Sequence, residues 1–174
     1  QKNTGDLLRY VDTISAARDM DLIRAVLGDP KLNYLGFSYG TFLGATYASL
    51  FPTKVGRMVL DGAINPKVSD EDQLINQITG FDNALKAYLT DCLKQSGCPF
   101  TGSVASAQKK IASFLLGLET KPIKNTDDSR KVTVWAANTG IIMALYSEEY
   151  WEYLTEAFKT AFKGDGTTLM RLAD

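Results

Sequence analysis

Gly36-Phe37-Ser38-Tyr39-Gly40 joins two stretches of different periodicity, and that junction constrains the chain more than any other feature. Before it, Leu32-Asn33-Tyr34-Leu35 is a short apolar run opened by the breaker Asp29-Pro30, the pattern of a buried strand. After it, Tyr39 to Phe51 is apolar over a helical length and stops at Pro52. G-x-S-x-G alone arises by chance in about one chain in twenty of this length, so its neighbourhood decides its meaning. Gly40, Gly44 and Ala48 recur at i, i+4 and i+8, a smooth stripe that lets a helix backbone lie close to a sheet. Arg57-Met58-Val59-Leu60 then reads as a second buried strand, ending at the turn Asp61-Gly62. Strand, helix and strand with short connections predict one βαβ unit of a parallel sheet.

A serine on such a strand-to-helix turn, flanked by Gly36 and Gly40, holds its hydroxyl exposed above the sheet as a nucleophile elbow. That hydroxyl is a poor nucleophile until a neighbouring base takes its proton, and in this arrangement the base is a histidine. The 174 residues contain none. The chain therefore reads as an internal fragment of an enzyme, with the nucleophile present and the base elsewhere. By itself it is expected to be inactive. Upstream, Asp12 or Thr13 can cap a helix with the apolar stripe Ala16, Met20, Ile23 and Leu27, and Gly28 as its stop. Asp19 and Asp21, in the middle of that helix, read as solvated or helix-pairing charges.

The motif in its wider setting resembles a known family. Gly36-Phe37-Ser38-Tyr39-Gly40-Thr41-Phe42-Leu43-Gly44, Tyr47-Ala48, Phe51-Pro52, Val55-Gly56-Arg57 and Val59-Leu60-Asp61-Gly62 look like the tripeptidyl aminopeptidases, exported bacterial α/β-hydrolases related to the proline iminopeptidases. Asp21-Leu22-Ile23-Arg24 and Leu27-Gly28 fit as well. Later, Cys92, Cys98-Pro99, Ala144-Leu145-Tyr146, Trp151 and Gly164-Asp165-Gly166 are similar to that family's lid. The resemblance implies that Ser38 is the nucleophile and that the Tyr39 backbone N–H is one oxyanion donor, at a helix N-terminus that favours negative charge. It also implies that the catalytic Asp and His follow later strands and are not in this chain. Asp61 then reads as a turn or supporting residue rather than the acid. Export implies a secreted or cell-envelope location.

From about residue 67 onward the pattern becomes helical. Ser69 with Asp72 resembles a capping box, opening a helix with the stripe Leu74, Ile78, Phe81, Leu85, Tyr88 and Cys92. Ser103 starts a second helix carrying Ala107, Ile111, Phe114, Leu115 and Leu118. Pro122 to Lys131 reads as polar loop, Trp135 to Tyr146 as a third helix, and Glu148 to Lys163, capped by Ser147, as a fourth. Gly164-Asp165-Gly166 breaks the chain before a last helix. The expected fold class is α/β: residues 1–66 a partial α/β-hydrolase core with the elbow, residues 67–174 a helical lid. On pattern alone, the second part reads equally as an independent helical bundle.

Trp135, Tyr146, Tyr150, Trp151 and Tyr153 are dense in aromatic surface and are expected to be mostly core, with a minority facing a peptide cleft. Glu148, Glu149 and Glu152 either cap and solvate their helix or hold a substrate's amino terminus. Cys92 and Cys98 are the only cysteines; a disulfide suits an exported protein, two free thiols a reducing compartment, and the resemblance favours the disulfide. Two thiols without histidine leave a zinc shell unfilled, so no metal or cofactor is expected.

Nineteen basic against twenty acidic residues give a net charge of -1, with no basic patch for nucleic acid. No apolar run approaches bilayer-spanning length. A two-stranded sheet has edges to cover, so missing hydrolase segments or another chain are the expected partners, besides a peptide substrate of the parent enzyme. An esterase of the same fold and a non-catalytic helical binding module are the alternatives.

Overall fold

In a computed structural model of the chain, which describes residues 4–174, the first α-helix starts where Asp12 supplies its cap. The Asp12 carboxylate accepts the Ser15 N–H at 2.9 Å and the Ser15 hydroxyl at 2.7 Å, and these bonds hold its carboxyl below the ordinary value. Helix α1 (Thr13–Val26) follows a 3-10 turn over Gly5–Tyr10. It ends in a Schellman arrangement: Gly28 sits at φ +76°, its N–H bonds to the Ala25 carbonyl, and the Asp29 N–H bonds to the Arg24 carbonyl.

The buried face of α1 corrects the sequence expectation. Ala17 and Arg24 are buried, while Ile23 and Leu27 of the expected stripe are exposed. The reason is a polar knot. Arg24 Nε donates to Asp21 Oδ1 at 2.7 Å, and the same oxygen accepts the Tyr47 hydroxyl at 3.0 Å; Arg24 also donates to the Asp29 carbonyl. Polar groups satisfied in this way can be buried, and they draw the helix in through a face that apolar counting does not choose. The Arg24 hydrogen bond holds the Asp21 carboxyl below its usual range, and burial raises the Tyr47 phenol.

Strand β1 (Leu32–Phe37), helix α2 (Tyr39–Leu50) and strand β2 (Val55–Asp61) form the expected parallel βαβ unit. Tyr34 pairs with Met58, Leu35 with Val59, and Gly36 with Leu60. Strand side chains alternate faces, so Tyr34, Gly36, Met58 and Leu60 share one. That face receives α2, and a Cβ on Gly44 would stand 2.7 Å from Tyr34 Cε1 and 2.8 Å from Leu60 Cδ2. Glycine there allows the helix to approach the sheet. The opposite face is bare: Leu35, Phe37 and Val59 are 60, 61 and 58% exposed.

The chain divides into two compact units, Gln1–Asp72 and Gln73–Asp174. The βαβ layer belongs to the first. Helix α3 (Asp70–Cys92) opens as Ser69 Oγ accepts the Asp72 N–H at 3.1 Å. Of its expected stripe, Leu74 and Ile78 are exposed, and burial sets in only at Tyr88 and Leu89, with Phe81 and Leu85 half-packed. In the second unit, α4 (Val104–Thr120) carries a reciprocal cap between Ser103 and Ser106. Helices α5 (Val134–Ala144), α6 (Trp151–Ala161) and α7 (Thr167–Ala173) complete the unit, with a 3-10 turn over Glu148–Tyr150 capped by Ser147. The stretch expected to be polar loop holds a small antiparallel hairpin, β3 (Ile123–Lys124) with β4 (Lys131–Val132). Its strands are too short to carry an alternation signal. Phe158 lies at the centre of the core, wholly buried, among the rings of Tyr88, Phe100 and Phe162.

Candidate functional site

The turn between β1 and α2 is where local geometry departs most from ordinary backbone. Ser38 sits at φ +50° and ψ -119°, and among the described residues it is the only non-glycine at positive φ. A residue with a Cβ held in such a conformation costs about 1–3 kcal/mol and persists only where its surroundings fix it. Here they do. The Ser38 N–H donates to the Asp61 carbonyl at 3.0 Å, extending the β1–β2 ladder by one bond. Its carbonyl accepts the Thr41 N–H at 2.9 Å and the Thr41 hydroxyl at 2.7 Å.

Of the flanking glycines, Gly36 is sterically required and Gly40 is only tightly packed. A Cβ on Gly36 would lie 2.6 Å from Tyr34 Cε1 and 2.7 Å from the carbonyl carbon of Gly40, and one on Gly40 would meet Tyr34 Oη at 3.2 Å. Ser38 is exposed, and its side chain makes no capping hydrogen bond to α2, so the hydroxyl is left free toward solvent. Tyr39 is the first residue of α2, a position whose N–H has no intrahelical acceptor and lies at the positive end of the helix dipole. An exposed hydroxyl beside an unclaimed N–H is suited to attack on a carbonyl whose oxygen gains negative charge. The Tyr39 ring is fixed from the other side, its hydroxyl 2.8 Å from Thr13 Oγ1. A cavity of about 460 Å³ opens there, lined by Leu7, Tyr10, Val11, Thr13, Ala16 and Tyr39 with the carboxylates of Asp12 and Asp19.

Asp61 meets Ser38 through its backbone carbonyl, and its residue is exposed. Thr41 stands within the run that carries the family resemblance, where its residue type alone assigns it no role. It is 2% exposed, and its hydroxyl also accepts the Ile64 N–H at 2.9 Å. Its spacing of three from Ser38 was visible in the sequence, but its partner 23 residues further on was not.

In the second unit, Glu148 and Glu152 line a cavity of about 490 Å³ with Asp91, Lys159, Tyr88 and Trp151, whereas Glu149 does not line it. Burial pushes the Tyr88 phenol up to about 12, although its bond to Thr155 acts the other way. The aromatic expectation is corrected: Trp135, Tyr146, Tyr150 and Tyr153 are exposed, and only Trp151 packs inward, edge-on to Tyr88. The core of this unit draws its rings from Phe100, Phe114, Phe158 and Phe162 instead. Cys92 and Cys98 are joined as a disulfide, with Cα atoms 5.3 Å apart. Among the described residues, no group of three or more His, Cys, Asp or Glu side chains converges as a metal site would require. No described helix is long and apolar enough to cross a membrane.

Comparison with known proteins places this geometry in context. Residues 8–165 match the alpha/beta hydrolase fold family. The chain is 39% identical to the serine protease Hip1 of Mycobacterium tuberculosis over 97% of its own length and 34% of that protein's. It is 43% identical to carboxylesterase B of the same species, over 96% of this chain and 32% of the relative. A tripeptidyl aminopeptidase of Streptomyces lividans is 55% identical over 65 residues, 37% of this chain and 12% of the relative. The chain thus spans about a third of the length of the two relatives that match it almost throughout. With a matching region that runs through both units, the chain belongs to the alpha/beta hydrolase fold family.

Proposed function

We propose that the protein carrying this chain is a serine hydrolase that cleaves peptide bonds near substrate N-termini, with Ser38 as nucleophile. The observation that carries the reading is the exposed Ser38 hydroxyl on a positive-φ turn between β1 and α2. Two relatives whose names denote peptidases support it. A base outside these 174 residues takes the Ser38 proton as Oγ attacks the scissile carbonyl carbon. The oxyanion accepts a hydrogen bond from the Tyr39 N–H, with the second donor also from outside the chain. The C–N bond then breaks, the amine leaves with the proton returned by the base, and water hydrolyses the ester on Ser38.

In this reading the first unit is part of the catalytic core, the second is its lid, and the substrate is a peptide. The Cys92–Cys98 disulfide supports an exported protein, secreted or held in the cell envelope. The chain alone is inactive for want of a histidine. Carboxylesterase B as a relative favours a second reading, in which the parent acts on esters of the same general shape.

Fluorophosphonate labelling, read by intact mass and site mapping, tests the proposal. The full-length protein is expected to label at Ser38, and the isolated chain is not. Labelling elsewhere, or none in the full-length protein, overturns it. Comparing kcat/KM on a tripeptide amide and on a short-chain ester separates peptidase from esterase.

A further inference from the structure

We infer that Thr41 is a positioning residue for the Ser38 hydroxyl, acting as a clamp between the turn and the segment after β2; this rests on the reading of Ser38 as nucleophile. Thr41 is a buried polar residue on the first turn of α2. Its Oγ1 donates to the Ser38 carbonyl at 2.7 Å and accepts from the Ile64 N–H at 2.9 Å. One hydroxyl therefore uses its single proton and a lone pair on two backbone groups from different parts of the first unit.

The clamp acts on Ser38, the only non-glycine at positive φ among the described residues. Ser38 has two backbone polar groups, and both are held: its N–H by the Asp61 carbonyl, its carbonyl by the Thr41 N–H and Oγ1. Asp61 and Ile64 bracket Gly62, at φ +69°, which passes the turn closely enough that a Cβ on it would lie 3.6 Å from the Ser38 nitrogen. The Asp61–Ile64 segment is thus anchored to the turn at both ends, by the Ser38 N–H at one and by Thr41 at the other. Without the Thr41 hydroxyl, the Ile64 N–H loses its partner and the Ser38 carbonyl keeps only one of its two donors. The strained φ then has less to oppose its relaxation, and the Ser38 Cα–Cβ vector and the Tyr39 N–H turn with it. Small displacements of a nucleophile from its productive geometry cost rate rather than substrate affinity.

The test uses the full-length protein with Thr41→Val, which keeps shape and loses the hydroxyl, and Thr41→Ser, which keeps the hydroxyl. Rates are expressed per folded site from active-site titration. Thr41→Val is expected to lower kcat and the fluorophosphonate rate by about tenfold or more with KM within about twofold, and Thr41→Ser to restore both to within about threefold. An unchanged per-site rate in Thr41→Val overturns the clamp, as does an equal loss in Thr41→Ser. A wild-type protein that labels at Ser38 while Thr41→Val matches it removes only this inference. A wild-type protein that does not label at Ser38 removes the nucleophile reading and this one together.

Discussion

The Tyr34 hydroxyl donates to the Gly40 carbonyl at 2.8 Å, tying the middle of β1 to the first turn of α2 across the strained residue between them. The same ring occupies the space a side chain at Gly36 or Gly44 would need. Tyr34 therefore accounts in part for two of the small residues around Ser38; the Gly40 carbonyl excludes a side chain at Gly36 as well, and Leu60 one at Gly44. Burial raises its phenol above the ordinary value, so the hydroxyl remains a donor across the physiological range.

Strain at Ser38 should be measurable as stability. Ser38→Gly removes the Cβ from a positive-φ position and is expected to raise unfolding free energy by about 1 kcal/mol. Ser38→Ala keeps the Cβ and is expected to stay within about 0.5 kcal/mol of the parent. Both abolish fluorophosphonate labelling. Urea denaturation of the two variants checks the difference, and equal stabilities would remove the strain.

Acid should weaken the second unit through a carboxylate–arginine network. Arg171 Nε meets Asp127 at 2.6 Å, and Arg130 donates to Asp128 and Asp174 at 2.7 Å each. Hydrogen bonds from these arginines hold all three carboxyls below 3.8. Because folding lowers those pKa values, the unfolded chain binds protons more readily, and the stabilisation is complete above about pH 5. It is lost as pH falls through 3.8 and below. Urea midpoints followed from about pH 7 to pH 3 should stay flat and then decline, and Asp127→Asn with Asp128→Asn should reduce the steepness of the decline.

Reduction should destabilise the end of α3. The Cys92–Cys98 bridge closes a loop with a sequence separation of 6, for which chain-entropy reasoning gives about 2 kcal/mol. Thermal melts with and without a thiol reductant check this, with Cys92→Ser and Cys98→Ser together as the control that no longer responds.

The bare sheet face should make the isolated chain associate. Leu35, Phe37 and Val59 form an apolar strip on a parallel pair, and parallel strands are ordinarily covered on both faces. Sedimentation velocity is expected to show concentration-dependent oligomers, reduced by Leu35→Lys with Val59→Glu. A monomer at all concentrations would contradict the expectation.

What the sequence disclosed was mostly local. The helix starts at Asp12, Ser69, Ser103 and Ser147 each rest on a side chain bonding to an N–H two or three residues on. The strand–turn–helix–strand order around Ser38 follows from short apolar runs between breakers. What stayed hidden depends on partners distant in sequence. Arg24 is buried because Asp21 and the Asp29 carbonyl accept its N–H groups, and Asp21 is itself held by the Tyr47 hydroxyl, 26 residues beyond it. The β3–β4 hairpin pairs two residues with two through backbone alone. Trp135 is 78% exposed although tryptophan is usually well buried, and composition carries no sign of that. Thr41 looked like an ordinary helix residue because its second bond arrives from Ile64.

Helix α2 is most of the crossover between β1 and β2, with only a 3-10 turn over Pro52–Lys54 after it, so melting it frees the two strands from their fixed register. In hydrogen-exchange terms, the Ser38 amide bonded to Asp61 and the interior amides of α2 should open together, as a single cooperative unit. The residue proposed to carry out chemistry then shares its opening free energy with the helix behind it, and its geometry lasts as long as that helix stays closed.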